Sequence, residues 1–399
     1  MFRKVAWSYN TNIYEVNVRQ YTSEGTFRAF AGHMPRLKDM GVEVLWFMPI
    51  TPISIKGRKG TLGSYYACSN YTDINPEFGT LEDFRWLVSY AHQLGFKVMI
   101  DWVANHTGLD HQWTIEHPEY YLQNEHGGFY DKHGWDDVID LNYYNSGLRR
   151  AMIDSMKFWV ETCGIDGFRC DMAHLVPLDF WREARGELDA IRPLFWLAES
   201  DEPAYHEAFD ASYTWVWMHK SHDFCKRNMT LPELKKVLLH QQERFPRHAF
   251  RCYFTTNHDE NSWNGTEFEK FGPAAKVLAV FSSTWNGIPI TYSGQEIPNN
   301  RRLRFFEKDQ IDWNKKPEFH DFYKQLFNLR KTHPALQAGD VSETRFIETN
   351  ADDFVMVYER TSGDDKVIVA LNFSDKELTA ESAEWRFSLK PFDYLILEK

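Results

Sequence analysis

The chain has 399 residues and is 43% hydrophobic, which can fill a large core in one big domain or two and argues against disorder. Its net charge of −12, with no long basic stripe, argues against nucleic acid and anionic membranes as partners and suits a neutral ligand. The five cysteines are an odd number without CxxC or zinc spacing, so neither a disulfide framework nor a structural zinc is expected.

No apolar run reaches the roughly 18 residues of a membrane span, and the first residues lack the apolar stretch of a secretory signal. The expected compartment is the cytoplasm, or the periplasm or exterior if a signal has been removed. Aromatic residues make up 16% of the chain, with 15 Trp. Planar rings are natural platforms for the apolar faces of sugars, although most of these are expected to be ordinary packing groups.

Taken in order, residues 13–21 are β-rich and residues 26–40 read as a helix ended by Gly41. Residues 42–48 read as a buried strand. The alternation then repeats: helix 81–94, strand 97–103, helix 148–162, a strand around Arg169, helix 179–191 and strand 194–198. It continues with strand 211–215, helix 231–245, strand 251–256, helix 273–285, strand 288–292 and a closing helix 319–333. Eight strands alternating with seven helices predict a closed parallel (β/α)8 barrel of the TIM type.

Residues 104–147 are too long for a simple connection after the third strand and predict a short inserted loop domain over the barrel mouth. After Pro334 the apolar period becomes two, so residues 335–399 predict an antiparallel β-sandwich. The expected domains are thus 1–103 with 148–334 as the barrel, 104–147 as the insert and 335–399 as the C-terminal domain.

Reacting groups of such a barrel sit at the C-terminal ends of its strands. Those ends carry Asp101, Asn105 and His106 after the third strand, Arg169 and Asp171 after the fourth, Glu199 after the fifth, and Asn257, His258 and Asp259 after the seventh. Arg169 and Asp171 are two apart and share a strand face, so the cation should keep the carboxylate ionised and able to act as a nucleophile. The bland alternative is a buried ion pair at a strand end. Glu199 ends an apolar strand with no cation adjacent in sequence, so its pKa should be raised, as an acid/base requires. A nucleophile and an acid beside one glycosidic oxygen are what glycoside cleavage needs. Asp259, with His258 and His106, would hold the sugar hydroxyls.

Asp101-x-Val103-x-Asn105-His106, Gly167-x-Arg169-x-Asp171, Glu199 and Asn257-His258-Asp259 stand in the order of four signature regions, and the chain resembles the α-amylase family, the retaining glycoside hydrolases of family 13. Ser64-Tyr65-Tyr66, Asp140-Leu141-Asn142 and the run from Gly287 to Glu296 extend the likeness. The resemblance implies Asp171 as nucleophile, Glu199 as acid/base and Asp259 as transition-state stabiliser. It implies Asp101, His106, Arg169 and His258 around the reacting sugar, Tyr65 stacked beneath it, and His174 at the acceptor side. It implies a structural Ca²⁺ on Asn105, Asp140 and the backbone carbonyl of Leu175, and no organic cofactor.

The implied activity is an α-amylase acting with retention on α-1,4 links of starch or malto-oligosaccharides, as a monomer. The alternative is an α-glucosidase, a neopullulanase-like enzyme or a 4-α-glucanotransferase on short or branched oligosaccharides. The short insert predicts an open cleft and internal attack, with Trp113, Trp135 and Trp263 as candidates for outer stacking platforms.

Overall fold

The computed structural model describes residues 2–313 and 317–399. Eight parallel strands close a barrel: β1 (Ile13–Val16), β2 (Val44–Phe47), β3 (Lys97–Trp102), β6 (Gly167–Cys170), β7 (Phe195–Ala198), β8 (Ala211–Tyr213), β9 (Phe250–Tyr253) and β10 (Ile288–Tyr292). The ring runs β1-β10-β9-β8-β7-β6-β3-β2 and closes through β1 on β2, so β7 stands opposite β1. All but one of the barrel-strand residues are buried, which is why these segments read as continuous apolar runs without alternation.

Several elements differ from expectation for local reasons. The strand at residues 13–21 stops at Val16, because Asn17 caps a short helix, Val18–Tyr21, by accepting the Gln20 N–H. The helix expected over 26–40 is two, Phe27–Ala31 and Met34–Asp39, with Pro35 in the first turn of the second. Trp215 does not end β8 but opens a helix, Trp215–Cys225.

The insert contributes β4 (His106–Gly108) and β5 (Val138–Asp140), an antiparallel pair whose register sets His106 opposite Asp140. C-terminal to the barrel, β11 (Glu343–Phe346), β12 (Val355–Ser362), β13 (Asp365–Asn372) and β16 (Tyr394–Glu398) form one antiparallel sheet. Strands β14 (Leu378–Glu381) and β15 (Arg386–Leu389) form a second, two-stranded sheet. Period two explains the packing: Met356, Tyr358, Val367, Val369 and Leu371 join the barrel core. Val355, Val357, Ile368 and Ala370 face the other way onto Ala380, Phe387 and Leu389. All five cysteines are free, and among the described residues no helix is long and apolar enough to cross a membrane.

Candidate active site

Barrel closure brings the strand-end residues to one mouth. A cavity of about 400 Å³ there is lined by Asp171 and Met172 after β6, Glu199 after β7, Asp259 and Trp263 after β9, and His106 after β3. Tyr66, Trp135, Phe305 and Phe306 supply aromatic walls, with Lys59, Ser64, Asp137 and Val138 between them.

Beneath the cavity lies the fully buried guanidinium of Arg169, on β6. Its Nη1 donates to Asp101 Oδ1 and to Asp171 Oδ1, both at 2.9 Å, while Nη2 stands 3.0 Å from Glu199 Oε2 as an ion pair rather than an aligned hydrogen bond. One planar cation therefore spans carboxylates from three strands. Glu199, which has no cation adjacent in sequence, gains one in space because β6 and β7 are neighbours in register.

Burial is the largest influence on each of these acids and raises them, while Arg169 opposes it. Asp171 is raised to about 6 and Asp101 to about 6, so the arginine does not hold Asp171 low as its adjacency in sequence suggests. Glu199 is raised to about 7, with the charges of Asp171 and Asp259 adding to burial. Asp259 differs: burial pushes it up, but His258 outweighs this and holds it below the ordinary value. His258 Nε2 lies 3.2 Å from Asp259 Oδ2 and 2.7 Å from the Tyr66 hydroxyl, and its Nδ1 meets the buried carboxylate of Glu15 on β1. Burial lowers the His258 pKa, but the two carboxylates prevail and lift it well above the usual value.

Met172 adopts a left-handed conformation, φ 40°, a strained choice for a non-glycine residue. That turn directs its N–H to Glu199 Oε2 at 2.9 Å, while Ala173 N–H bonds the Glu199 carbonyl. Burial lowers His106 to about 4, leaving it neutral at the cavity wall beside Trp135.

Of the residues singled out in the sequence, Asp171, Glu199, Asp259 and His106 line the cavity. Asp101, Arg169 and His258 sit directly behind it. Tyr65 does not: its hydroxyl donates to Asn17 Oδ1 at 3.1 Å and its ring packs under Arg19. The next residue, Tyr66, faces the cavity instead, stacked on His258 at 5.3 Å and donating to Asp101 Oδ2 at 3.0 Å. His174 is exposed and outside the cavity lining. Trp113 is buried against Tyr71, His111 and Tyr120, whereas Trp135 and Trp263 line the cavity. Lys59, Phe305, Phe306 and Glu15 carried no motif signal, since each lies on a segment joined to the site only by closure.

Asn105 and Asp140 meet, Nδ2 to Oδ1 at 3.3 Å, through the β4–β5 pairing. The side chains gathered on Asp140 are Asp131 and His133, with ligand atoms within 4.8 Å of one another, and buried Asp131 Oδ1 has no hydrogen-bond partner. Leu175 belongs to the turn after β6, where its N–H bonds the Met172 carbonyl.

Residues 8–133 and 116–315 match the family described as alpha amylase, catalytic domain. The alpha-amylase MalA of Haloarcula japonica is 27% identical over 94% of this chain, and a cyclomaltodextrinase of Geobacillus thermopakistaniensis is 26% identical over 88%. The chain spans 57% and 63% of the lengths of those two relatives. Among solved structures, an alpha-amylase from Lactobacillus plantarum superposes with TM-score 0.88 at 28% identity, covering 98% of this chain and 99% of that one. A noncanonic maltogenic alpha-amylase, AmyB, from Thermotoga neapolitana gives 0.86 at 30% identity, covering 98% and 96%. With a family match over most of its length and a barrel that superposes throughout, the chain belongs to the α-amylase family of glycoside hydrolases.

Proposed function

We propose that this enzyme cleaves α-1,4-glucosidic bonds of starch-derived glucans with retention of configuration, with Asp171 as nucleophile, Glu199 as acid/base and Asp259 as stabiliser. The observation that carries the reading is the single guanidinium of Arg169 touching both Asp171 and Glu199. Retaining enzymes keep their two carboxyl groups about 5–5.5 Å apart, whereas inverting ones leave about 6.5–9.5 Å for a water. A shared arginine favours the compact arrangement.

In the first step an Asp171 carboxylate oxygen attacks the anomeric carbon. The glycosidic C–O bond breaks, and the Glu199 proton passes to the leaving oxygen. In the second, Glu199 takes a proton from water as that water attacks the same carbon, and the Asp171 ester is released. Asp259, kept ionised by His258, faces the positive charge that develops on the ring. Tyr66 supplies the stacking surface and neutral His106 a hydrogen bond to a ring hydroxyl. Relatives described as alpha-amylase, cyclomaltodextrinase and alpha-1,4-glucan:maltose-1-phosphate maltosyltransferase support an α-glucan as the substrate class.

For the metal, the side-chain donors gathered beside Asp140 are the carboxylate of Asp131 and the imidazole of His133. The partnerless Asp131 oxygen supports a cation there. Two carboxylates with an imidazole suit a borderline divalent ion as well as Ca²⁺, and such an ion would tie the 131–133 turn of the insert to the end of β5.

The reading is tested by trapping. A fluorinated α-glucosyl fluoride that forms a slow ester should label the peptide containing Asp171, and NMR should show the α-anomer as first product. A label on another carboxylate, or a β-anomer, would overturn the assignment.

A further inference from the structure

Loop 55–63, which follows β2, is tied on both flanks. Toward the insert, Asp110 Oδ2 accepts the N–H groups of Ile55 and Lys56, each at 2.9 Å, and Lys59 Nζ reaches Asp136 Oδ1 at 2.7 Å and Asp137 Oδ1 at 3.0 Å. Toward the segment after β10, Leu62 N–H donates to the Phe306 carbonyl at 3.0 Å and Thr61 N–H to Glu307 Oε1 at 3.0 Å. Arg19, fully buried just past β1, locks the span from below by donating to the carbonyls of Leu62, Gly63 and Phe305. The insert, the loop after β2 and the segment after β10 thus form a continuous wall above β3, β2, β1 and β10. Lys59 and Phe306 face the cavity from it.

Ring order gives this wall a direction. Glu199 follows β7, four strands from β1 either way round, so it stands across the mouth from the middle of the wall. The group that protonates the leaving oxygen marks the aglycone side. The wall therefore stands on the glycone side, and no residue of the connection between β8 and β9 lines the cavity.

We infer that this enzyme attacks α-glucans from their non-reducing ends, because loop 55–63 bridges the insert and the segment after β10 across the glycone end of the cleft. The chain enters with its non-reducing terminus against Lys59 and Phe306, and the remainder leaves over β7 and β8. A chain continuing through the wall would have to displace the Lys59 bridge. The products are short saccharides, with the polymer shortened from one end. This inference rests on the roles proposed for Asp171 and Glu199, which fix the direction of the cleft.

The test uses the wild-type chain and p-nitrophenyl α-maltoheptaoside, with its non-reducing end either free or blocked by a 4,6-ethylidene group. The expected result is stepwise trimming of the free substrate and cleavage of the blocked one slower by at least about 50-fold, since a wall acts by steric rejection. Lys59→Ala should raise the blocked-to-free ratio by about tenfold. Equal rates on the two substrates with internal products would overturn the inference alone. Cleavage of neither would overturn the proposed function and this inference with it.

Discussion

Glu15 at the end of β1 and His258 just past β9 form a buried ion pair, with Oε1 of the acid on Nδ1 of the imidazole and the other ring nitrogen facing Asp259 and Tyr66. A histidine gripped by carboxylates on both nitrogens is held as the imidazolium, and the partner on Nδ1 fixes its orientation. Under the proposed mechanism Glu15 would act as a positioning residue through His258. Glu15→Gln should lower kcat about tenfold, a loss of about 1.4 kcal/mol in transition-state stabilisation, with a smaller change in KM. It should also shift the pH profile, because His258 would lose the charge that holds Asp259 ionised. An unchanged pH profile would reduce Glu15 to a structural role.

Asp171→Asn should abolish turnover by several orders of magnitude, since the amide cannot form the glycosyl ester. Initial rates on a maltodextrin, with circular dichroism to verify folding, measure this. A variant that folds and keeps activity within tenfold would exclude Asp171 as nucleophile.

The pH profile follows from two directions. Under the proposed mechanism Asp171, raised to about 6, acts ionised and Glu199, raised to about 7, acts protonated, so activity should peak between these values and fall on both sides. Glu199→Gln should lose the alkaline limb and retain activity only on substrates whose leaving group needs no proton. The stability sign is also fixed. A carboxyl whose folded pKa lies above its unfolded value favours folding below the unfolded value, and that advantage is lost as pH rises through about 7. Ionised Glu199 thus costs stability at pH 8, and Glu199→Gln should raise Tm at pH 8 more than at pH 5. Equal shifts at both pH values would contradict this.

Adjacent tyrosines should separate cleanly. Tyr66→Ala removes the ring that faces the cavity and should raise KM and lower kcat. Tyr65→Phe removes only the bond to Asn17, costing about 0.5–1.5 kcal/mol of stability with kcat/KM nearly unchanged. Steady-state kinetics beside thermal melts of the two variants decide it.

A cation at Asp131, His133 and Asp140 would bind the folded chain alone. Adding Ca²⁺, Mn²⁺ or Zn²⁺ after chelation should then raise Tm, by an amount equivalent to about 2.7 kcal/mol at a hundredfold excess over Kd. Asp140→Asn should remove the rise. A melting temperature indifferent to all three metals and to chelator would rule the site out.

The alternation of apolar runs with amphipathic helices determines the barrel from sequence alone, because each strand is buried on both faces and each helix on one. The same reading locates Asp171, Glu199 and Asp259, since a strand end lies where its apolar run stops. Period two over residues 354–371 likewise marks a C-terminal sheet with two apolar faces. What only the tertiary structure decides is which groups meet across the ring. Arg169 reaches Glu199 because β6 and β7 pair in register, and His258 meets Glu15, 243 residues away, because β1 and β9 flank β10. Tyr66 rather than Tyr65 faces the cavity because Asn17 and Arg19 hold Tyr65 beneath the wall. The wall itself joins three connecting segments through backbone carbonyls and N–H groups, which every residue carries. No residue pattern announces such bonds, so the shape of the cleft follows from chain closure.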